Sequence, residues 1–216
     1  MWVSALVLVF VAVQAEAPPE PITSLDVHSL GPTQLDNLGQ PPVSPANPQT
    51  SDKILLGKKL YFDTRLSKDN TVSCATCHDP AKGWSDAGPT SKGIKDQLGG
   101  RRSPPVSNAA YNLLQFWDGR APSLEEQAKG PPVNPIEMGM PNLDAVIDRV
   151  RHIPGYKPYF EKAFGAGHVV TMDNAAKAIA AYERTLITPG SAYDRYVKGD
   201  KKALTAQQVK GMETFA

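Results

Sequence analysis

The feature that most constrains this chain is the stretch "SCATCHDP". It contains Cys74 and Cys77, the only cysteines among 216 residues, and His78 follows the second one directly. On an α-helix, positions i, i+3 and i+4 lie on one face. A single helical turn can therefore present two thiols and one imidazole to the same partner, and the fold must leave room for that partner beside the turn.

The spacing C-x-x-C-H is the attachment signature of c-type haem. Two thiols at i and i+3 can add to the two vinyl groups of the porphyrin, and a neutral imidazole at i+4 can bind the iron. We therefore predict that Cys74 and Cys77 hold one haem c covalently and that His78 is an axial ligand of its iron.

Other interpretations of the cysteine pair fit less of the sequence. A structural zinc site needs four ligands, and the remaining histidines form no second pair at ligand spacing. A thioredoxin-like redox pair is expected in a βαβ context, which the sequence lacks. A disulfide between Cys74 and Cys77 can form in an oxidising compartment, but it leaves the role of His78 unexplained.

The ligand on the other side of the iron stays open. An electron carrier needs a sixth ligand, commonly Met or His, whereas an enzyme that activates peroxide leaves the position free or displaceable. Met172 and Met212 lie on helical rows where a core position is expected, and His152 ends an amphipathic helix. The full set of candidates is Met138, Met140, Met172, Met212, His152 and His168.

The start of the chain predicts export. Residues 2–13 form an apolar run that is short for a membrane span of about 20 residues, and Ala15 and Ala17 give an A-x-A cleavage pattern. We predict a signal peptide over residues 1–17 and a periplasmic protein, with an uncleaved membrane anchor as the alternative. Residues 18–50 contain eight prolines and no helical period, which predicts an extended linker.

The rest of the chain is helical in pattern. Apolar residues recur at spacings of three and four in "SDKILLGKKLYF", "PNLDAVIDRVRHIPG" and "TMDNAAKAIAAYERTLITPG", and no run alternates for long enough to be a strand. Ser51, Ser123, Thr171 and Thr205 are predicted N-caps, and Gly130 is a predicted helix end. The expected fold is all-α and loop-rich, a cytochrome c-like domain around the haem. The net charge of +1 argues against a nucleic-acid partner.

Residues 79–107 are the exception to the helical pattern. They are rich in Gly, Pro and Ser and have no period, and structureless loops of more than about 12–15 residues are usually functional or disordered. Because this loop begins directly after the haem motif, we predict that it folds over the bound group.

Several motifs in order resemble the bacterial di-haem cytochrome c peroxidase family, which includes the methylamine-utilisation-type enzymes. They are "LGKKLYFDTRLS", "VSCATCHDP", "FWDGRAPSLEEQAKGP", "NPIEMGMP" and "AYERTLITPGSAYDRYVKGDKKALTAQQVKGMETF". The resemblance implies two cytochrome c-like domains, of which the N-terminal one carries the peroxidatic haem. It also implies hydrogen peroxide as substrate, a small cytochrome c or copper protein as electron donor, and leaves a homodimer open.

The resemblance assigns roles to individual residues. It implies that Glu137 is the distal acid and base, that Gln127 lies in the distal pocket, and that Trp117 stands between the two haems. The calcium site of this family usually includes an asparagine at the position where this chain has Ser103. The resemblance therefore leaves calcium binding open. The loop histidine that caps the iron in many members is absent from "TSKGIKDQLGGRRSPP", which predicts an iron open on its distal side.

By the same resemblance, residues 51–200 form the peroxidatic domain and residues 201–216 begin a second haem domain. "VKGMETF" repeats the pattern that precedes the first haem motif, but the sequence ends before a second C-x-x-C-H. We therefore expect a fragment or a truncated product without the electron-entry haem. The alternatives are a mono-haem electron carrier and a methylamine-utilisation-type maturation oxidase.

Overall fold

The computed structural model describes residues 39–167 and 169–215, and within them it contains α-helices, short 3-10 turns and no strand. The all-α prediction is confirmed for this part of the chain. The predicted signal peptide, most of the proline-rich linker and His168 lie outside the described residues. The helices are Ser51–Phe62 (α1), Cys74–Cys77 (α2), Leu124–Gln127 (α3), Gly130–Val133 (α4), Leu143–His152 (α5), Tyr156–Phe164 (α6), Met172–Glu183 (α7), Ala192–Val197 (α8) and Ala206–Phe215 (α9).

Helices α1 and α7 pack directly against each other and form the centre of the core. Their close approach depends on Gly57, since a Cβ atom there would lie 1.8 Å from the carbonyl oxygen of Ala178. Leu56 and Tyr61 of α1 are fully buried against the alanine-rich face of α7. Helix α2, which contains the haem motif, packs against α1 of this pair.

The helix ends follow the predicted caps with two corrections. Thr171 caps α7 by accepting the amide of Asn174, as expected. At α1, however, the cap is Thr50, whose side chain accepts the amide of Lys53, and not Ser51. Gly130 was predicted to end a helix but begins α4, because α3 already stops at Gln127 and the chain turns at once into a second short helix.

Residues 39–50 are hydrogen bonded to the helical domain. The Asn47 side chain donates to the carbonyl oxygen of Lys177 at 2.9 Å, and Gln49 donates to that of Ala181 at 2.9 Å. Both carbonyls belong to α7, so this segment belongs to the same compact unit as residues 51–204. The sequence prediction placed the start of the domain at residue 51 and did not include these contacts.

Helix α9 belongs to a separate unit. Thr205 and Gln208 form the predicted capping box, in which each side chain accepts the other residue's amide. That α9 begins a second haem domain stays a prediction. None of the helices over residues 39–167 and 169–215 has the length and hydrophobicity of a membrane span.

Candidate haem-binding site

The two cysteines and His78 lie on one short helical turn. The amide of Ser73 donates to Thr76 Oγ1 at 2.9 Å at its start, and the amide of His78 donates to the carbonyl of Cys74 at 3.0 Å at its end. Both thiols are free, and burial raises the pKa of Cys74 to about 12 and that of Cys77 to about 11. The turn therefore offers two thiols that are free for thioether attachment.

The imidazole of His78 is oriented by one backbone contact. Its Nδ1 atom lies 2.9 Å from the carbonyl oxygen of Pro104. Because a carbonyl can only accept, Nδ1 carries the proton and Nε2 keeps its lone pair. A metal-binding histidine is usually held by such a contact through its other nitrogen. Burial lowers the pKa of His78, which keeps the ring neutral and able to bind iron.

A cavity of about 490 Å³ opens beside this turn. Its volume falls in the range of about 300–1,000 Å³ that is typical of ligand and cofactor sites. Residues 99–106 of the long loop line it, so the loop predicted to fold over the bound group forms part of its wall. Among the described residues that line it are His78, Pro104, Trp117, Gln127, Glu137 and Glu183.

Glu137 is half-buried in this cavity and is held by Asn134. The Asn134 side-chain amide donates to Glu137 Oε1 at 2.8 Å, and Asn134 Oδ1 accepts the amide of Ile136 at 3.0 Å. Burial raises the pKa of Glu137, although Arg120 and the hydrogen bond from Asn134 oppose that shift. A carboxyl group with a pKa nearer to neutral suits a residue that both accepts and returns a proton.

Two loops hold the backbone around Glu137. In the loop after the haem motif, the amide of Ile94 donates to the carbonyl of Glu137 at 2.9 Å. In the loop before the motif, the amide of Lys68 donates to the carbonyl of Met138 at 2.8 Å. At Gly93, a Cβ atom would lie 1.9 Å from the carbonyl oxygen of Ile136. The chain at 136–138 is thus enclosed between two loops that contact it through backbone atoms.

Trp117 and Gln127 reach the same cavity from other elements. Trp117 is 63% exposed, and its Nε1 donates to the carbonyl of Arg102 at 2.8 Å. Gln127 ends α3. Asp118, next to Trp117, is paired with Arg101 at 3.0 Å and Arg120 at 2.8 Å. The structure therefore brings together the three residues that the sequence proposed as catalytic, and it adds arginines beside them.

Four of the six candidates for a sixth ligand do not line the cavity, while His168 lies outside the described residues and Met212 belongs to α9 in the separate unit. Met138, Met140 and Met172 are buried in the helical core. His152 is exposed in the last turn of α5, where its Nδ1 lies 2.6 Å from the carbonyl oxygen of Asp148. Among the described residues that line the cavity, none is a methionine.

The comparison with known proteins settles the family. The sequence model described as di-haem cytochrome c peroxidase matches residues 51–202 of this chain. The chain belongs to the di-haem cytochrome c peroxidase family. That match covers the haem motif, the loop after it and the segment that contains Glu137.

Named relatives of this family agree. The cytochrome c551 peroxidase of Pseudomonas aeruginosa is 54% identical over 162 residues, which are 74% of this chain and 46% of that protein. The methylamine utilization protein MauG of Methylorubrum extorquens is 43% identical over 170 residues, which are 79% of this chain and 48% of that protein. The chain spans about half the length of the relatives it matches.

Solved structures show the same fold. A MauG-like protein associated with microbial copper homeostasis superposes with a TM-score of 0.73 at 28% identity, over 82% of this chain and 52% of that one. The di-haem peroxidase BthA of Burkholderia thailandensis gives a TM-score of 0.66 at 26% identity, over 82% of this chain and 51% of that one.

The site of this di-haem peroxidase family member fits a haem c. It offers two thiols at the spacing that attachment requires, an imidazole whose Nε2 is free to bind iron, and a cavity of suitable volume next to both. One buried oxygen in its wall, Glu183 Oε2, has no hydrogen-bond partner in the described chain, which is expected of a wall that a bound group completes.

Sequence reasoning missed three residues of this site. The carbonyl of Pro104 accepts a hydrogen bond from His78, Asn134 orients Glu137, and Glu183 lines the cavity from the end of α7. Only Asn134 could have been recognised from the sequence, because an asparagine side chain that accepts the amide two residues later forms a common turn. Pro104 acts through its backbone, and Glu183 lies in a helical pattern that gives no hint of the cavity.

Proposed function

We propose that this chain is the peroxide-reducing half of an exported, periplasmic di-haem cytochrome c peroxidase. Hydrogen peroxide is the substrate, and a small cytochrome c or copper protein supplies the electrons through a second haem. The observation that supports this best is the convergence of His78, Glu137 and Trp117 on one cavity in a chain that belongs to this family.

Cys74 and Cys77 would hold the haem through thioether bonds, and His78 would bind its iron through Nε2. When bound, the haem would supply the iron for the two-electron reduction of peroxide. The contact between His78 Nδ1 and the carbonyl of Pro104 keeps the ring in one orientation and increases the basicity of Nε2.

Glu137 moves a proton between the two oxygens of peroxide. Its ionised carboxyl accepts the proton of one oxygen and returns it to the other, so that the departing oxygen leaves as water. Over the whole cycle, one peroxide, two electrons and two protons give two waters. Asn134 holds Oε1 in place for this transfer, and Gln127 provides a further polar group in the same cavity.

Trp117 is proposed to carry electrons toward this cavity. Its indole N–H is anchored on the carbonyl of Arg102 while most of the ring faces outward. A ring that is fixed at one edge and open at the other suits an electron path between two redox groups.

The substitution Glu137→Gln tests the proposal. Because general acid and base catalysis contributes about 10²–10⁴-fold, we expect peroxide turnover with a reduced small cytochrome to fall by at least about 10²-fold while the haem absorption spectrum is retained. The experiment uses the chain together with its electron-entry haem, as the complete peroxidase. Glu126→Gln is the matched control, since Glu126 is an exposed carboxylate on α3.

Three results would contradict parts of the proposal. Near-normal turnover of Glu137→Gln removes Glu137 from the proton transfer. Protein that is colourless after expression in a host competent for cytochrome maturation removes the haem. Poor turnover with every small donor, together with oxidation of aromatic side chains on a partner protein, favours the alternative of a methylamine-utilisation-type maturation oxidase.

A further inference from the structure

Glu183 is a buried carboxyl group that the peroxide chemistry does not use. It is the last residue of α7, it is 6% exposed, and it lines the same cavity as His78. Its Oε2 atom has no hydrogen-bond partner in the described part of the chain. A buried polar atom without a partner costs free energy, so its retention beside a cofactor cavity calls for a functional reason.

The neighbouring cation does not neutralise Glu183. Arg184 is committed to Glu125, with its two terminal nitrogens 2.7 and 3.0 Å from the two carboxylate oxygens, and its Nε donates to the carbonyl of Pro42. Both terminal nitrogens of Arg184 are thus occupied by Glu125. An ionised Glu183 would be a buried charge without a counter-ion.

Three groups that face Glu183 carry no charge at physiological pH: the phenols of Tyr61 on α1 and Tyr182 on α7, and the sulfur of Cys74 on α2, which is a thioether once haem is attached. Glu125 on α3 adds a negative charge. Burial, the largest effect, raises the pKa of Glu183 to about 8, with Glu125 adding to the shift and Arg184 opposing it. The protein itself therefore disfavours a negative charge at this position.

A ferric haem changes this balance. Its iron–porphyrin core carries one positive charge that it loses on reduction, and in a cavity of low dielectric such a charge acts strongly on a nearby carboxyl group. We propose that Glu183 takes up a proton when the haem of this cavity is reduced. The iron gains one electron from an external reductant, and one proton passes from solvent to the Glu183 carboxylate. This inference rests on the haem of the proposed function but not on peroxidase activity.

The coupling has a definite sign. The ferric charge stabilises the carboxylate, so the pKa of Glu183 is lower in the oxidised than in the reduced protein. Between these two values, reduction takes up a proton and the midpoint potential falls as pH rises, toward about 59 mV per pH unit for one proton per electron. Outside that window both redox states have the same protonation and Glu183 contributes no slope.

The test is a spectroelectrochemical titration of the haem-loaded chain between about pH 5 and pH 8, the interval in which a group shifted this way titrates. We expect the wild type to show a falling midpoint potential and Glu183→Gln to lose more than half of that slope. Glu126→Gln, an exposed carboxylate on the neighbouring helix, should keep the wild-type slope. Glu137→Gln separates the contribution of the other carboxyl group in the cavity.

Infrared difference spectra serve if Glu183→Gln does not fold. Reduction of the wild type should produce a new carbonyl band of a protonated carboxylic acid that moves on labelling glutamate with ¹³C while the haem is made from unlabelled δ-aminolaevulinate, and the band should persist in Glu137→Gln. An unlabelled band identifies the haem propionates as the proton acceptors and overturns the inference. If the protein is coloured, equal slopes in wild type and Glu183→Gln also overturn the inference, and so does a slope that is lost only in Glu137→Gln. A colourless protein overturns the haem assignment itself.

Discussion

At the scale of single residues, two side chains of the cavity are each oriented by one hydrogen bond. The carbonyl of Pro104 fixes which nitrogen of His78 is free, and the amide of Asn134 fixes one oxygen of Glu137. Neither partner needs to touch a substrate. Each hydrogen bond determines which atom of its neighbour is available. Loss of such a bond should therefore change the pKa of the neighbouring side chain without removing the site.

Asn134→Ala should raise the pKa of Glu137. The ionised carboxyl loses a hydrogen bond worth about 1.5–3 kcal/mol, part of which water replaces, and about 1.4 kcal/mol corresponds to one pKa unit. Because Glu137 must be ionised to accept a proton, the rising limb of kcat/KM against pH should move to higher pH by about one unit. The measurement is a pH profile of peroxide turnover.

Asn142→Ala is the control for that experiment. Asn142 caps α5 by accepting the amide of Ala145 at 2.8 Å, so its loss costs about 1 kcal/mol of stability and leaves the cavity intact. Its pH profile should match that of the wild type. A profile that stays fixed in Asn134→Ala shows that the hydrogen bond does not set the titration of Glu137.

At the scale of elements, the loop after the haem motif and the loop that carries Glu137 are joined through their backbones. Gly93 packs against the carbonyl of Ile136, and Ile94 donates to that of Glu137. The φ and ψ of Gly93 are −99° and −158°, which any residue can adopt. Glycine is required here by the close approach alone, so the position of Glu137 depends on the absence of one Cβ atom.

Gly93→Ala should displace the Glu137 loop without removing the haem. The new methyl group would lie 1.9 Å from the carbonyl oxygen of Ile136 and 2.7 Å from that of Glu137, so the backbone must move. Overpacking of this kind costs about 1–3 kcal/mol, and we expect kcat for peroxide to fall about tenfold. Lys92→Ala, whose side chain is 60% exposed, is the control next to it. Unchanged turnover in Gly93→Ala would show that the loop tolerates the shift.

The elements also show what the sequence can and cannot predict. Helices with an apolar period, such as α5 and α7, were predicted from the sequence, because burial of one face leaves a spacing of three and four, although α7 ends at Glu183 and not at Leu186. The position of Gly93 against Ile136 leaves no such period. Backbone contacts between loops, and short turns such as α4, are set by the fold around them and are visible only in three dimensions.

At the scale of the whole domain, one buried ion pair joins three distant parts of the chain. Arg184 at the end of α7 and Glu125 in α3 are only 7% and 15% exposed, and their side chains also bind the N-terminal segment through Pro42 and Asn47. Lys53 of α1 completes the contact by donating to Asn47 Oδ1 at 3.2 Å. The pair thus fixes residues 39–50 against the domain close to the cavity wall that contains Glu183.

Glu125→Ala should destabilise the haem-loaded chain by about 3 kcal/mol, because it leaves Arg184 as a buried charge without a partner. Burial opposes ionisation of Glu125, but hydrogen bonds from Arg184 and Asn47 outweigh it and hold its pKa below the ordinary value of 4.5. A carboxyl group whose pKa is lowered by folding stabilises the protein above its unfolded pKa, and this contribution is lost as pH falls through the folded value. The difference in unfolding free energy between wild type and Glu125→Ala should therefore be full at neutral pH and shrink below about pH 4.5.

Glu126→Ala, the exposed neighbour, should cost less than about 1 kcal/mol at every pH. Denaturant titrations at a series of pH values measure both differences, and equal costs for the two variants would show that the pair does not hold the N-terminal segment in place.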